Sequence, residues 1–275
     1  MEIILGGLSK ENKFSKAVDY LNFHNPTNRI IYRCNICGRI CHSYINDIGR
    51  EKPSCACGST VRSRAIVHLL SILLFGESIA LPDFPKRPDI TGWGMSDAGY
   101  SEKLQNKLNY LNTFYHQEPK FDISEPLDPS YEKTLDFLIS TEVFEHIAPP
   151  VSRSFENAFR LLKPTGALIF SVPYNLEKST IEHFPDLYDY SLDKIDNNFL
   201  LSNKSKDGKI QTYDHLVFHG GPGTTLEMRV FSESGLFWEF EKAGFSRIRI
   251  LTEPYLKFGI YLQDNWSLPL IAYPC

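Results

Sequence analysis

No stretch of the 275-residue sequence approaches the ~20 consecutive apolar residues that span a bilayer, which excludes a helical membrane span. The opening segment MEIILGGLSKENK has a very short apolar run and no basic segment before it. It does not read as an export signal, so a cytoplasmic protein is expected. An excess of positive charge is missing too. Lys and Arg number 29 against 33 Asp and Glu, giving a formal net charge of -4 and a pI near 6.1. Non-specific nucleic-acid binding needs a basic surface to displace counterions, so nucleic acid is not the expected partner. No internal repeat is present.

Cysteine is scarce outside one segment. Five of the six fall between positions 34 and 57: Cys34, Cys37, Cys41, Cys55 and Cys57. Such clustering in a chain without an export signal favours metal over disulfides. Cys34-Asn-Ile-Cys37 followed by Cys55-Ala-Cys57 has the pairing of a structural zinc site, closed by four thiolates. The second pair has one spacer residue instead of two, and Cys41 and His42 stand as substitute ligands.

What is abundant is apolar and aromatic, 42% and 13% of the residues, ample for a core. The spacing predicts a helix over 9–24, with Phe14, Val18 and Leu21 on one side. It predicts a second over 59–76, capped by Ser59 or Thr60 and ended by Gly76. Prolines over 80–88 read as a linker, which divides the chain into an N-terminal module of 1–80 and a domain of 81–275. Beyond it, strands at 89–95, 109–116, 134–141, 167–173, 245–251 and within 257–274 alternate with helices at 97–108, 151–163 and 232–244. That alternation predicts a doubly wound α/β sheet. Residues 175–225 are polar and hold three histidines, and read as an insertion that shapes the site at the carboxyl ends of the strands.

The segment 135–174, LDFLISTEVFEHIAPPVSRSFENAFRLLKPTGALIFSVPY, carries the chemistry. A buried strand ends in Thr141-Glu142, a Glu145-His146 pair follows, then a helix, then Leu162-Lys163-Pro164-Thr165-Gly166 and another strand. In this order it resembles the central block of class I methyltransferases that use S-adenosylmethionine, with Thr165 where glycine is commoner. The resemblance implies a Rossmann-like seven-stranded sheet beside the small cysteine-rich zinc module. It implies S-adenosyl-L-methionine as cofactor, with Thr141 and Glu142 at the cofactor. Gly92-Trp93-Gly94-Met95-Ser96-Asp97 stands where the family has its glycine-rich loop, so Gly92, Gly94, Ser96 and Asp97 are implied at the cofactor. The third glycine of the pattern has no clear counterpart. Asp97 is also read as a cap of the next helix. The acid that binds the ribose hydroxyls is matched by Glu118, a few residues late, and the adenine motif by Asp122-Ile123, with a short gap between them.

A base near neutral pKa often takes the acceptor proton in such enzymes. His215 and His219 are the leading candidates, with His146 and Tyr174 behind them. Arg62 and Arg64 follow the cysteine segment, where a guanidinium suits a carboxylate or phosphate. The expected function is O- or N-methylation of a small or medium-sized acceptor, such as a sugar or a secondary metabolite. A zinc-containing RNA methyltransferase and an inactive methyltransferase-like binding protein are the alternatives.

Overall fold

The computed structural model describes residues 1–5, 28–97, 99–196, 198–264 and 266–275. The helix expected over 9–24 lies outside the described residues. Arg29–Arg33 (β2) and Ile40–Tyr44 (β3) form an antiparallel hairpin carrying the first cysteine pair. Val61–Phe75 (α1) follows. Thr60 caps it through the Ser63 amide, Ser63 caps in return, and Gly76 ends it in the left-handed conformation. This helix is the one expected over 59–76. It is buried nearly all round, because one face meets the hairpin and the other the main sheet.

The main sheet is built from Glu2–Leu5 (β1), Arg87–Met95 (β4), Leu108–Thr113 (β5), Leu135–Thr141 (β6), Leu162–Ser171 (β7), Arg247–Ile250 (β16) and Leu270–Tyr273 (β17). Its order is β1-β16-β17-β7-β6-β4-β5. Strands β5, β4, β6 and β7 are parallel, and β17 runs antiparallel between β7 and β16. This is the expected seven-stranded, Rossmann-like sheet. The helices Ser101–Gln105 (α2), Ser152–Leu161 (α3) and Glu233–Ala243 (α4) connect the strands. Two elements differ from expectation. Helix α2 is only five residues long, and β7 already begins at Leu162, which pairs with Leu135 of β6 before a register shift; pairing resumes at Ala167. At Gly166 a Cβ would stand 2.8 Å from the Leu135 carbonyl, so glycine permits that close approach.

One apolar core runs from Ile30, Cys34 and Ile48 through Ala65, Leu69 and Phe84 to Phe137, Ile169 and Ile271. It is continuous across the expected boundary near residue 80. The other face of the sheet holds Phe144, Phe155, Phe170 and Phe240, whose rings meet edge to face at centroid distances of 4.9–5.2 Å. Residues inserted after β7 form a small antiparallel sheet of Asp189–Ile195 (β10), Asn198–Lys204 (β11) and Ile210–Tyr213 (β12). Short pairings join Tyr174–Asn175 (β8), Ile181–Glu182 (β9), Phe218–His219 (β13), Thr225–Leu226 (β14) and Arg229–Ser232 (β15). The insertion has its own apolar cluster of Phe184, Leu187, Leu201, Leu226 and Met228. No helix among the described residues is long and apolar enough to cross a membrane.

Candidate active site

Strand β4 is flanked by β5 on one side and β6 on the other, so the chain reverses direction between β4 and β6. In open α/β sheets ligands bind outside the carboxyl ends at such a switch point. The two strands end in register, Met95 against Ser140. Each then leaves the sheet through a left-handed non-glycine residue close by, Ser96 at φ 58° and Glu142 at φ 55°. Ser96 is exposed there and its amide donates to the Thr113 carbonyl at 2.7 Å.

Asp97, next in the loop, is turned inward. Its carboxylate accepts from the Tyr100 hydroxyl at 2.7 Å and from the Tyr110 hydroxyl. Asn112 accepts from its amide and donates to its carbonyl, both at 2.9 Å. Burial pushes the Asp97 carboxyl up to about 7, against the two tyrosine hydroxyls and Arg62, which favour its charged form. Its side chain makes no cap bond to α2. Gly94 lies directly over this cluster. A Cβ there would fall 1.8 Å from the Tyr110 hydroxyl and 2.1 Å from Asp97. A Cβ at Gly92 would strike the Phe137 ring at 2.1 Å. Both glycines therefore make room for side chains within the protein.

Glu142 is held differently. Arg50 donates to its two oxygens at 2.7 and 3.1 Å, and the Ser171 hydroxyl donates at 2.9 Å. Burial opposes the charged form, but Arg50, Arg62 and Ser171 outweigh it and hold the carboxyl below its ordinary value. Arg50 also donates to the Ser267 carbonyl at 3.3 Å. Arg62 donates twice to Glu51, each at 2.7 Å. A cleft beside them is lined by Arg50, Arg62, Gln263, Asp264 and Trp266. Arg50 was not singled out from the sequence, because nothing in the cysteine-rich segment marks it. Arg64 is fully buried, donates to Ser59, Ser54 and the Gly259 carbonyl, and lies 4.9 Å over the Tyr32 ring. It ties the cysteine module to the domain.

At the β5 end, Thr113 is the last strand residue and no acid occupies that position. Segment 114–120 makes a single parallel bridge, Phe114 to Lys120. Glu118 is exposed and accepts from the Lys120 amide at 3.0 Å. Asp122 is half-buried and accepts from the Ser124 amide at 2.9 Å and hydroxyl at 2.6 Å. Asn157 on α3 donates to the Ile123 and Glu125 carbonyls, both at 2.8 Å, and pins this loop beside the sheet.

The histidines read from the sequence divide. The His215 side chain is fully exposed, in the loop after β12. His146 and His219 meet at 4.7 Å between ring centroids, beside Glu145. The backbone brings them together, since the Met228 amide donates to the Glu145 carbonyl at 2.8 Å and Arg229 donates to the Phe144 carbonyl at 2.7 Å. Glu145 has no exposed surface, and neither carboxylate oxygen has a hydrogen-bond partner among the described residues. Burial and the nearby Glu142 charge push its carboxyl well above the usual range. Burial pushes the His146 imidazole below its ordinary value.

The sulfurs of Cys34, Cys37, Cys55 and Cys57 all lie within 4.8 Å of one another, with Cys34–Cys57 at 3.7 Å and Cys37–Cys55 at 3.6 Å. A tetrahedral zinc with Zn–S of about 2.3 Å separates its sulfurs by about 3.8 Å. The four residues fit that ion. Cys41 and His42 fall outside the group.

Residues 104–170 match the family model described as a methyltransferase domain. The match runs from α2 through β7 and includes Asp122, Glu142, Glu145 and His146. A comparison with curated proteins found no match. Among solved structures, the chain is similar to an S-adenosylmethionine-dependent methyltransferase from Clostridium acetobutylicum, with 14% identity, TM-score 0.40, and 67% of this chain and 84% of that one covered. It is also similar to the amino pentose methyltransferase CalS10 from Micromonospora echinaspora, with 11% identity, TM-score 0.42, and 79% and 93% covered. Residues 104–170 thus resemble a methyltransferase domain, and they lie at the centre of the Rossmann-like sheet.

Proposed function

We propose that the protein transfers a methyl group from S-adenosylmethionine to an oxygen or nitrogen of a small or medium-sized acceptor. The observation that carries this reading is the methyltransferase-domain match at 104–170, whose polar loop residues gather at the carboxyl edge beside β4. When bound, S-adenosylmethionine supplies an electrophilic methyl carbon on a sulfonium sulfur. An acceptor lone pair attacks that carbon, the carbon–sulfur pair leaves with sulfur, and the acceptor loses its proton. The protein's part is alignment, worth several kcal/mol, about 7–11 in the best-oriented reactions.

Ser96, Glu142 and the Asp122-Ile123 loop are the residues we assign to the cofactor. Arg50 and Arg62 suit the carboxylate of its amino-acid end, and Glu142 its ammonium. Proton handling on the acceptor side is assigned to Glu145, His146 and His219, which the insertion covers. His215 is left out, because its side chain is fully exposed beside Asp214. The cysteine group is assigned one structural Zn²⁺ with no open position. Calorimetry with S-adenosylhomocysteine tests the reading, with micromolar binding expected. Absence of binding to either S-adenosylmethionine or S-adenosylhomocysteine would sink it.

A further inference from the structure

Glu145 presents an unusual problem in packing. Its carboxyl group is fully buried, and both oxygens lack a hydrogen-bond partner among the described residues. An orphaned buried carboxylate is costly and calls for a compensating group. Two imidazoles face it. His146 Nε2 lies 3.6 Å from Oε1, and His219 Nδ1 lies 4.0 Å from the same oxygen, both too far for a hydrogen bond.

The far nitrogen of each ring is already engaged. His146 Nδ1 is 2.8 Å from the Leu226 carbonyl, which only accepts, so that nitrogen carries the proton. His219 Nε2 is 2.8 Å from Glu227 Oε2, whose Oε1 is 2.8 Å from His183 Nε2. With their outer nitrogens donating, the neutral rings turn two lone pairs toward the Glu145 carboxyl. Three ligand atoms thus converge, with the two inner nitrogens 3.6 and 4.0 Å from Glu145 Oε1. Carbonyl and carboxylate acceptors behind histidines are the outer shell that orients metal-bound imidazoles.

We infer that Glu145, His146 and His219 form a second metal site, for a divalent transition-metal cation. Its three ligand atoms lie within 4.8 Å of one another. A cation about 2.1 Å from each would hold neighbouring ligand atoms about 3.0 Å (octahedral) to 3.4 Å (tetrahedral) apart, so the 3.6 and 4.0 Å distances to Glu145 would contract by at most about 1 Å. Two imidazoles and one carboxylate suit Mn²⁺, Fe²⁺ or Zn²⁺ over the all-oxygen preference of Mg²⁺ and Ca²⁺. Three protein ligands leave room for water or an acceptor oxygen. As ligands, the two histidines give up the role of base, and a cation-bound acceptor hydroxyl loses its proton more readily. That last role rests on the methyl-transfer reading; the metal site does not.

Chelator-treated full-length protein, reloaded with one equivalent of Zn²⁺ for the cysteine group, is titrated with Mn²⁺ by electron paramagnetic resonance and with further Zn²⁺ by calorimetry. One additional cation per chain is expected. Glu145→Gln and His219→Ala should each weaken it at least tenfold, and Glu227→Gln between about 10- and 100-fold. His219 is partly exposed, so its removal leaves the core intact; circular dichroism checks the fold. Uptake of neither cation by the wild type, or equal uptake by both ligand variants, overturns the site. S-adenosylhomocysteine binding is measured on the same samples. Its loss with Mn²⁺ uptake intact removes the methyl-transfer reading and leaves the metal site standing.

Discussion

Asp97 and Glu145 are carboxylates buried at the same edge of the same sheet, beyond adjacent strands, and they meet opposite fates. Asp97 accepts from two tyrosine hydroxyls, and Asn112 bonds its backbone on both sides. The Glu145 carboxylate accepts no hydrogen bond among the described residues. Burial raises both carboxyls. The difference lies in the partners. A buried acid whose lone pairs are filled from within the fold is a fastener. One whose lone pairs are left empty, with imidazole lone pairs turned toward it, is held ready for something that the fold does not itself supply.

Substitutions at the two positions should therefore move stability in opposite directions. Asp97→Ala leaves two buried tyrosine hydroxyls without an acceptor and should cost about 2–6 kcal/mol in urea unfolding, at about 1–3 per group. Glu145→Met replaces an orphaned acid by an apolar chain of similar volume. In chelator-treated protein it should gain about 1–3 kcal/mol, while ending uptake of the second cation. Equal losses at both positions would erase the comparison.

The comparison also has a pH signature. The Asp97 carboxyl titrates near 7 in the folded chain, against an ordinary carboxylate value in the unfolded chain. Between about 4 and 7 the folded state keeps a proton that the unfolded state has lost. The contribution of this group is therefore fully present below about 4, falls as pH rises, and levels off above 7. Asp97→Asn removes that slope. The stability of the variant relative to wild type should improve from pH 4.5 to pH 7.5 in urea titrations. A difference that is flat across that range would mean that Asp97 is charged throughout.

Much of this edge was legible in the sequence, and what was missed has physical causes. Buried parallel strands carry continuous apolar runs, so β6 and β7 stood out, and the residues closing β6 follow them in series. His219 was a leading candidate, but its meeting with Glu145 and His146 was not readable. It comes from a distant, polar insertion, which the Met228 amide and the Arg229 guanidinium fasten to the Glu145 and Phe144 carbonyls. His215, equally prominent on paper, falls one short loop away and faces outward. The glycine segment was legible only in part. Gly92 and Gly94 stand where the family has its glycine-rich loop, and each also makes space for an internal ring or hydroxyl, a packing role that the sequence did not show. Arg50 carried no signal at all, since its importance depends on reaching Glu142 from the cysteine module.

The smallest expected effect concerns the loop after β5, where the two acids matched to the cofactor differ in the same sense as Asp97 and Glu145, though less sharply. Glu118 is exposed and turned back on its own loop, where its carboxylate accepts from the Lys120 amide. Asp122 is half-buried and braced by Ser124, and Asn157 fixes the carbonyl that follows it. A braced carboxylate loses less freedom on binding than an exposed one and delivers more of its hydrogen-bond energy to a ligand. Asp122→Ala should weaken S-adenosylhomocysteine binding by roughly tenfold, about 1.4 kcal/mol, with unfolding shifted by less than that. Glu118→Ala should leave affinity within about twofold, well under 1 kcal/mol. If calorimetry finds the reverse order, the ribose side of the site is formed by 114–120, and the bracing around Asp122 serves only to close the loop.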